Sequence, residues 1–280
     1  MLINHRISLS DSWPDCYLDT YVSLLPTGYK RKALLVIPGG GYGTVCSDRE
    51  GEPIALAFLP YGYNAFVLHY STTETSANHF PTQLIQAALA IEHIKDHAQE
   101  YQIEPEKIFV VGFSAGGHLA GCLATMWDRP EVADALQRTP EYAKPTGAML
   151  IYPVVTGVEG SAHSQSFQNL LGSENPDMEL LAECSLERAV TAKACPVFLM
   201  HTANDELVSV RNSLLLAEAY AEAGVPFELH IYPDAPHGVA LGNEITECFV
   251  EKWKNPAIAK WVDHAVEWMD QISKNGGDQS

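Results

Sequence analysis

The sequence predicts an α/β fold, a mostly parallel central sheet flanked by helices on both faces. Three observations carry this. Apolar runs rich in β-branched residues alternate with helical stripes along the chain, the rhythm of strand–helix–strand units. Several runs are apolar throughout instead of alternating, as strands buried on both faces are. At Ser114 the hydrophobic period switches within one residue, from β-branched and aromatic residues 108–111 to the small, helix-forming residues 115–124. A strand must turn sharply into a helix there.

Residues 15–24 alternate well enough for a first strand, antiparallel and at an edge, with turn signals at Pro26, Thr27 and Gly28. The buried sheet begins with residues 33–37 and ends that run in Pro38-Gly39-Gly40-Gly41-Tyr42-Gly43. A short helix near Pro53 follows, and its charges Asp48, Arg49, Glu50 and Glu52 are expected to form a surface network. Residues 63–70 read as the next strand. Leu84, Ala87, Ala88, Ile91 and Ile94 then form one helical stripe facing the sheet. Glu104-Pro105-Glu106 is expected to break the chain before the strand that leads into Ser114.

Residues 147–155 form another buried run, after which 156–194 lose the rhythm and contain only short helical patches. This insertion is the expected lid or pocket wall of a single domain spanning 1–280. Residues 196–201 resume the sheet, a helix spans about 209–223 and stops at Gly224, and 227–232 form the last strand. A final stripe runs from Ile258 to Ile272, followed by a polar tail after Lys274.

Composition narrows the function. The 46% hydrophobic and 19% charged residues are those of a globular chain. With 35 acidic against 17 basic residues the net charge is −18, which disfavours nucleic acid and anionic membrane surfaces as partners. The six cysteines (Cys16, Cys46, Cys122, Cys184, Cys195, Cys248) show no metal-ligand spacing and read as free thiols in a reducing compartment. No signal peptide or membrane span is apparent, so a cytoplasmic protein is expected. Homo-oligomer formation is left open.

The chemistry is concentrated at three places. Gly112-Phe113-Ser114-Ala115-Gly116 has the form of a nucleophile elbow, in which glycines flank the serine because side chains would collide where strand and helix pack this closely. Serine then needs a base, and the base a group that fixes its tautomer. Of eleven histidines, His237 sits on the loop beyond the last strand, at the sheet's catalytic edge. His69 and His230 lie in strands, His93 and His97 on a helix, and His118 in the elbow helix, pointing along it. His201 precedes the acid and breaks the serine, acid, histidine order. Asp205 follows the strand ahead of His237 and is favoured over Glu206, which would point elsewhere, and Asp234, which would have to bend back within one tight loop. The glycine-rich loop lacks a following G-K-[ST], so it reads as a set of close backbone donors for an oxyanion and not as a phosphate cradle.

With these residues in view, PGGGY, GFSAGGHLA, the YPV strand and HTANDELV followed by PHG resemble the α/β-hydrolase esterases. More narrowly, the chain is similar to the acetyl-esterase and xylan-esterase-like branch with its hormone-sensitive-lipase-like loop, from about Leu34 to Gly238. The resemblance implies an α/β-hydrolase fold and oxyanion donors at the Gly40, Gly41 and Ala115 amides. Tyr42 and Phe113, beside those donors, are candidate pocket residues. One departure stands out: Pro38 replaces the histidine of the His-Gly-Gly-Gly relatives, so the polar support beneath the glycine amides must differ.

The expected activity is hydrolysis of short-chain, acetyl-type esters, such as those of sugars or xylo-oligosaccharides, by a Ser114-His237-Asp205 triad through an acyl-enzyme. It acts on a small-molecule ester and needs no metal or organic cofactor. A serine exopeptidase, a kynurenine formamidase-like amide hydrolase and a non-catalytic binding module are the competing readings.

Overall fold

The computed structural model describes residues 2–26, 28–158, 160–247 and 253–275. Thr27, Cys248 and the tail beyond residue 275 lie outside these. Among the described residues nine strands form one sheet: β1 (Leu2–Ile3), β2 (Arg6–Ser8), β3 (Tyr17–Ser23), β4 (Arg31–Ile37), β5 (Tyr63–His69), β6 (Ile103–Phe113), β7 (Gly147–Ile151), β8 (Val197–Thr202) and β9 (Phe227–Tyr232). Their order is β1-β3-β5-β4-β6-β7-β8-β9, with β2 also on β3. Pairing is parallel from β5 through β9 and antiparallel at β3.

The strand expected at the edge is antiparallel but not outermost. β1 pairs with residues 22–23 of β3 and β2 with residues 17–19, so the two short strands together cover its outer side. The expected break at Glu104-Pro105-Glu106 is also absent. β6 starts at Ile103 and passes through these residues, with a register shift against Arg31 and Ala33 of β4 absorbing the irregularity.

Among the described residues ten α-helices complete the architecture. α1 (Ser47–Glu50) and α2 (Glu52–Phe58) follow β4, α3 (Thr82–Asp96) follows β5, α4 (Ala115–Thr125) follows β6, and α5 (Pro130–Leu136) leads toward β7. The insertion supplies α6 (Ser164–Leu171), α7 (Met178–Glu183) and α8 (Leu186–Ala189), before α9 (Arg211–Ala223) and α10 (Trp261–Asn275).

The sheet separates two apolar layers. Residues from α3, α4 and α9 pack with Leu35, Val110 and Leu199 on one face. Those from α2 and α10 pack with Leu34, Val111 and Phe198 on the other. Adjacent strand residues thus go to opposite faces and both are buried, which is why the strands read as unbroken apolar runs. The parallel strands carry their C-terminal ends to one edge, and β4, β6, β8 and β9 each deliver a loop there. Among the described residues, no helix is long and apolar enough to cross a membrane.

Candidate active site

At the end of β6 the chain turns through Ser114 at φ 54, ψ −117 and enters α4 directly. Such a conformation is strained for a residue with a Cβ. Its neighbours hold it: the Ser114 N–H donates to the Ile151 carbonyl at 3.0 Å, and its carbonyl accepts the His118 and Val154 amides. A Cβ on Gly112 would lie 2.1 Å from the Gly116 carbonyl oxygen, and one on Gly116 would lie 2.2 Å from that of Ile37. Both flanking glycines are therefore sterically required.

The three side chains singled out in the sequence meet at this turn. His237 Nδ1–H donates to Asp205 Oδ2 at 2.7 Å, which leaves Nε2 to accept the Ser114 hydroxyl at 2.9 Å. Ser114 is 9% and Asp205 8% exposed. Asp205 Oδ1 accepts the Leu207 and Val208 amides at 2.9 Å each. Burial acts to raise the Asp205 carboxyl, but the neighbouring His201 and His237 rings and the bond from the Val208 amide outweigh it and hold the group well below the usual carboxylate range. Of the two histidines His237 is the effective partner. His201 Nε2 is 3.5 Å from Asp205 and directs its hydrogen to the Val208 carbonyl at 2.8 Å, with Nδ1 on Ser213 Oγ. The rivals face elsewhere: Asp234 pairs with Asn204 Nδ2, and Glu206 is an exposed residue on the rim of the cleft beside His237.

The loop carrying His237 is held by aromatic donors. Trp253 Nε1 donates to the His237 carbonyl at 3.0 Å, Trp261 Nε1 to that of Ala240 at 2.9 Å, and the Tyr152 ring meets the His237 ring edge-on, centroids 4.8 Å apart.

The glycine loop passes directly over the elbow. A Cβ on Gly39 would lie 3.0 Å from Ser114 Cβ and 2.7 Å from the Phe113 carbonyl oxygen. The loop's carbonyls are all engaged: Gly39 accepts Cys46 N–H, Gly40 accepts Gly43 and Thr44 N–H, and Gly41 accepts Asn169 Nδ2. A trans peptide points its N–H opposite its carbonyl, so these bonds also fix the amides of Gly40, Gly41 and Tyr42. Among the described residues the Gly40, Gly41 and Ala115 amides have no intramolecular acceptor, leaving them free for a ligand oxygen.

Several expectations need correction. Phe113 is fully buried between Tyr152 and Trp261 on the α10 face, a core residue instead of a pocket wall. Tyr42 is 1% exposed, and its hydroxyl donates to His118 Nδ1 at 2.8 Å while His118 Nε2 donates to the Cys184 carbonyl. Both rings are core residues because the loop and elbow fold back onto the sheet. His118 is enclosed, with both ring nitrogens taken by Tyr42 and Cys184. Burial pushes it down to about 4 against a smaller opposing effect of the Cys184 bond, so it stays neutral. Glu50, expected at the surface, is 2% exposed and lies beneath the glycine loop. It and Asn169, the residue of α6 that holds Gly41, were not among the candidates.

The five described cysteines are unpaired, four of them buried. Among the described residues no group of three or more His, Cys, Asp or Glu side chains is placed to hold a metal ion.

The BD-FAE profile matches residues 18–220, which carry the glycine loop, the elbow and Asp205. The chain belongs to the BD-FAE family. A dienelactone hydrolase family profile matches residues 182–273, around His237. This BD-FAE member is 39% identical over 220 residues to endo-1,4-beta-xylanase B of Butyrivibrio fibrisolvens, covering 77% of this chain and 33% of that one. It is 29% identical over 224 residues to the acetylxylan esterase of Xylanibacter ruminicola, covering 79% and 44%. The chain thus spans less than half the length of these curated relatives. Among solved structures it resembles an acetyl ester-xyloside bifunctional hydrolase from Caldicellulosiruptor lactoaceticus, with 31% identity, 96% of each chain covered and a TM-score of 0.79. The fold is that of the α/β-hydrolase esterases.

Proposed function

We propose that this chain is a serine carboxylesterase acting on short-chain, acetyl-type esters, with acetylated sugars or xylo-oligosaccharides as the substrate class. The observation that carries the reading is His237, bonded at once to Asp205 and to Ser114 Oγ. With Nδ1–H held by an ionised carboxylate, Nε2 takes the serine proton as Oγ attacks the ester carbonyl. The tetrahedral oxygen is received by the free Gly40, Gly41 and Ala115 amides. His237 then protonates the departing alcohol, and water repeats the cycle against the acyl-enzyme.

The surroundings favour a hydrophilic alcohol portion. A cleft of about 590 Å³ next to the glycine loop is lined by Thr73, Gln165, Gln168, Asn169, Ser173 and Glu174, a set of amides and hydroxyls suited to hydroxyl groups. A second cleft of about 360 Å³ adjoins His237 and presents Trp253 and Leu207 beside Asn204 and Glu206, an apolar surface with polar neighbours of the kind a sugar ring can rest on. Apolar space near the elbow is slight: Tyr42, His118, Val154, Phe167 and Leu170 border a void too tight for a water molecule. The acetylxylan esterase relative and the acetyl ester-xyloside neighbour point to the same substrate class.

The test is a panel of p-nitrophenyl esters of increasing acyl length, acetylated xylose and N-formylkynurenine. Highest kcat/KM on acetyl esters, with acetate released from acetylated xylose, is expected. Preference for long acyl chains or for the formamide would contradict the reading.

A further inference from the structure

One buried carboxylate stands outside the triad. Glu50, the last residue of α1, accepts the Gly39 N–H on Oε2 at 2.8 Å and the Tyr152 hydroxyl on Oε1 at 2.9 Å, with Arg49 Nη2 3.6 Å from Oε1. Burying a carboxylate is costly unless its oxygens are well bonded, and both partners here belong to the site.

Gly39 packs so close to the elbow that a Cβ on it would lie 3.0 Å from Ser114 Cβ. Its N–H is held by Glu50 and its carbonyl by Cys46 N–H at 3.0 Å, so the peptides on either side of Gly39, the second of them leading to Gly40, are each held by one bond. Tyr152 backs the His237 ring edge-on, and its hydroxyl also accepts the Ala240 N–H at 3.1 Å from the loop just past His237. Burial first, and the Glu50 carboxylate next, hold that hydroxyl well above its ordinary value, so it remains a donor. Pro38 stands where related loops carry a histidine, and the polar side chain bonded to the loop at Gly39 is Glu50.

We propose that Glu50 is a positioning residue for hydrolysis: a single carboxylate sets the oxyanion loop through Gly39 and the His237 ring through Tyr152, keeping donors and base in register around Ser114. The proposal rests on the serine-esterase reading above. Glu50 itself touches no reacting atom.

The test compares the wild-type chain with Glu50→Gln, Tyr152→Phe and the double variant. Each is assayed for kcat and KM on p-nitrophenyl acetate and for affinity toward a small boronic acid, whose boron bonds to the serine oxygen and mimics the tetrahedral state. Glu50→Gln keeps the shape but offers an amide N–H₂ where one of two donors now bonds. Expected is a fall in kcat of up to about a hundredfold, the scale of a misplaced reacting group, with KM within about threefold and boronate affinity falling in step. Tyr152→Phe keeps the Gly39 bond and should lose less. The double variant should lose less than the product of the two, since both act through Glu50. Wild-type kcat and boronate affinity in Glu50→Gln, or a loss confined to KM, would overturn the proposal while leaving the esterase reading intact. Should Glu50→Gln fail to fold, Tyr152→Phe decides, and an unchanged kcat there overturns it. A wild-type protein without ester hydrolysis overturns the esterase reading itself, and this proposal with it.

Discussion

Asn169 Nδ2 donates to the Gly41 carbonyl at 2.8 Å, tying the first helix of the insertion to the glycine loop over Ser114. Residues 164–171 thus support the glycine loop as well as lining the cleft beside it. Gly43 approaches the same side chain, since a Cβ there would lie 3.3 Å from Asn169 Nδ2. Asn169→Ala should free the Gly41–Tyr42 peptide to rotate and lower kcat by about tenfold, less than outright loss of an oxyanion donor. Steady-state kinetics on p-nitrophenyl acetate, with thermal unfolding as the control for folding, measure this. Unchanged kcat would show that the loop holds its shape alone.

Replacing Gly39 is a sharper perturbation of the same loop. An alanine Cβ would meet Phe113 O at 2.7 Å, Glu50 Oε2 at 2.8 Å and Ser114 Cβ at 3.0 Å, none of them the end of a flexible chain free to move away. Gly39→Ala is expected to reduce kcat by about 10²-fold or more, because loop and serine must separate. Wild-type activity in this variant would mean the loop is not held against the elbow.

Asp205→Asn tests the orientation of the base. The asparagine can keep the Leu207 and Val208 amide bonds through its oxygen, but its amide N–H₂ faces His237 Nδ1 and favours the other tautomer. Nε2 would then carry the hydrogen and could not accept the serine proton. A kcat loss on the order of 10⁴ with little change in KM is expected, the scale seen when a triad acid is neutralised. A loss below about tenfold would indicate that another group orients His237.

Folding stability should depend on pH through His118. Its folded value of about 4 lies below the ordinary 6.5, since burial opposes the charge. Between those values the unfolded chain binds more protons than the native one, so stability is complete above about 6.5 and falls as pH drops toward 4. The contribution is at most about 1.4 kcal/mol per pH unit. His93 is also pushed down to about 4, by burial and then by His97, and acts in the same direction. Urea unfolding across this range should show a falling midpoint, with a shallower fall in His118→Gln. Equal slopes in the two proteins would contradict this role for His118.

Much of the architecture was legible because its signals are local. Unbroken apolar runs marked the parallel strands, and the change of period at Ser114 marked the strand-to-helix turn. The positions of Asp205 and His237 followed from which strands their loops leave. What was not legible depends on how loops fold back. Tyr42 and Phe113 sit next to site residues in sequence, yet both rings turn into the core, one onto His118 and the other onto Trp261. Glu50 was hidden among Asp48, Arg49 and Glu52. The available signal was its place four residues before Ile54 and eight before Phe58, which are buried; the break between α1 and α2 at Gly51 obscured that stripe. Asn169 carries no signal of its own, because its partner is a backbone carbonyl distant in sequence.

The central claim is that Ser114 is acylated during turnover. Wild-type protein mixed briefly with p-nitrophenyl acetate and quenched in acid, followed by intact-mass and peptide mass spectrometry, tests it most directly. The expected result is one acetyl group on the peptide containing Ser114, absent from Ser114→Ala, which should also lose hydrolysis. Wild-type turnover by Ser114→Ala, or acetyl found on another residue in its place, would contradict the account.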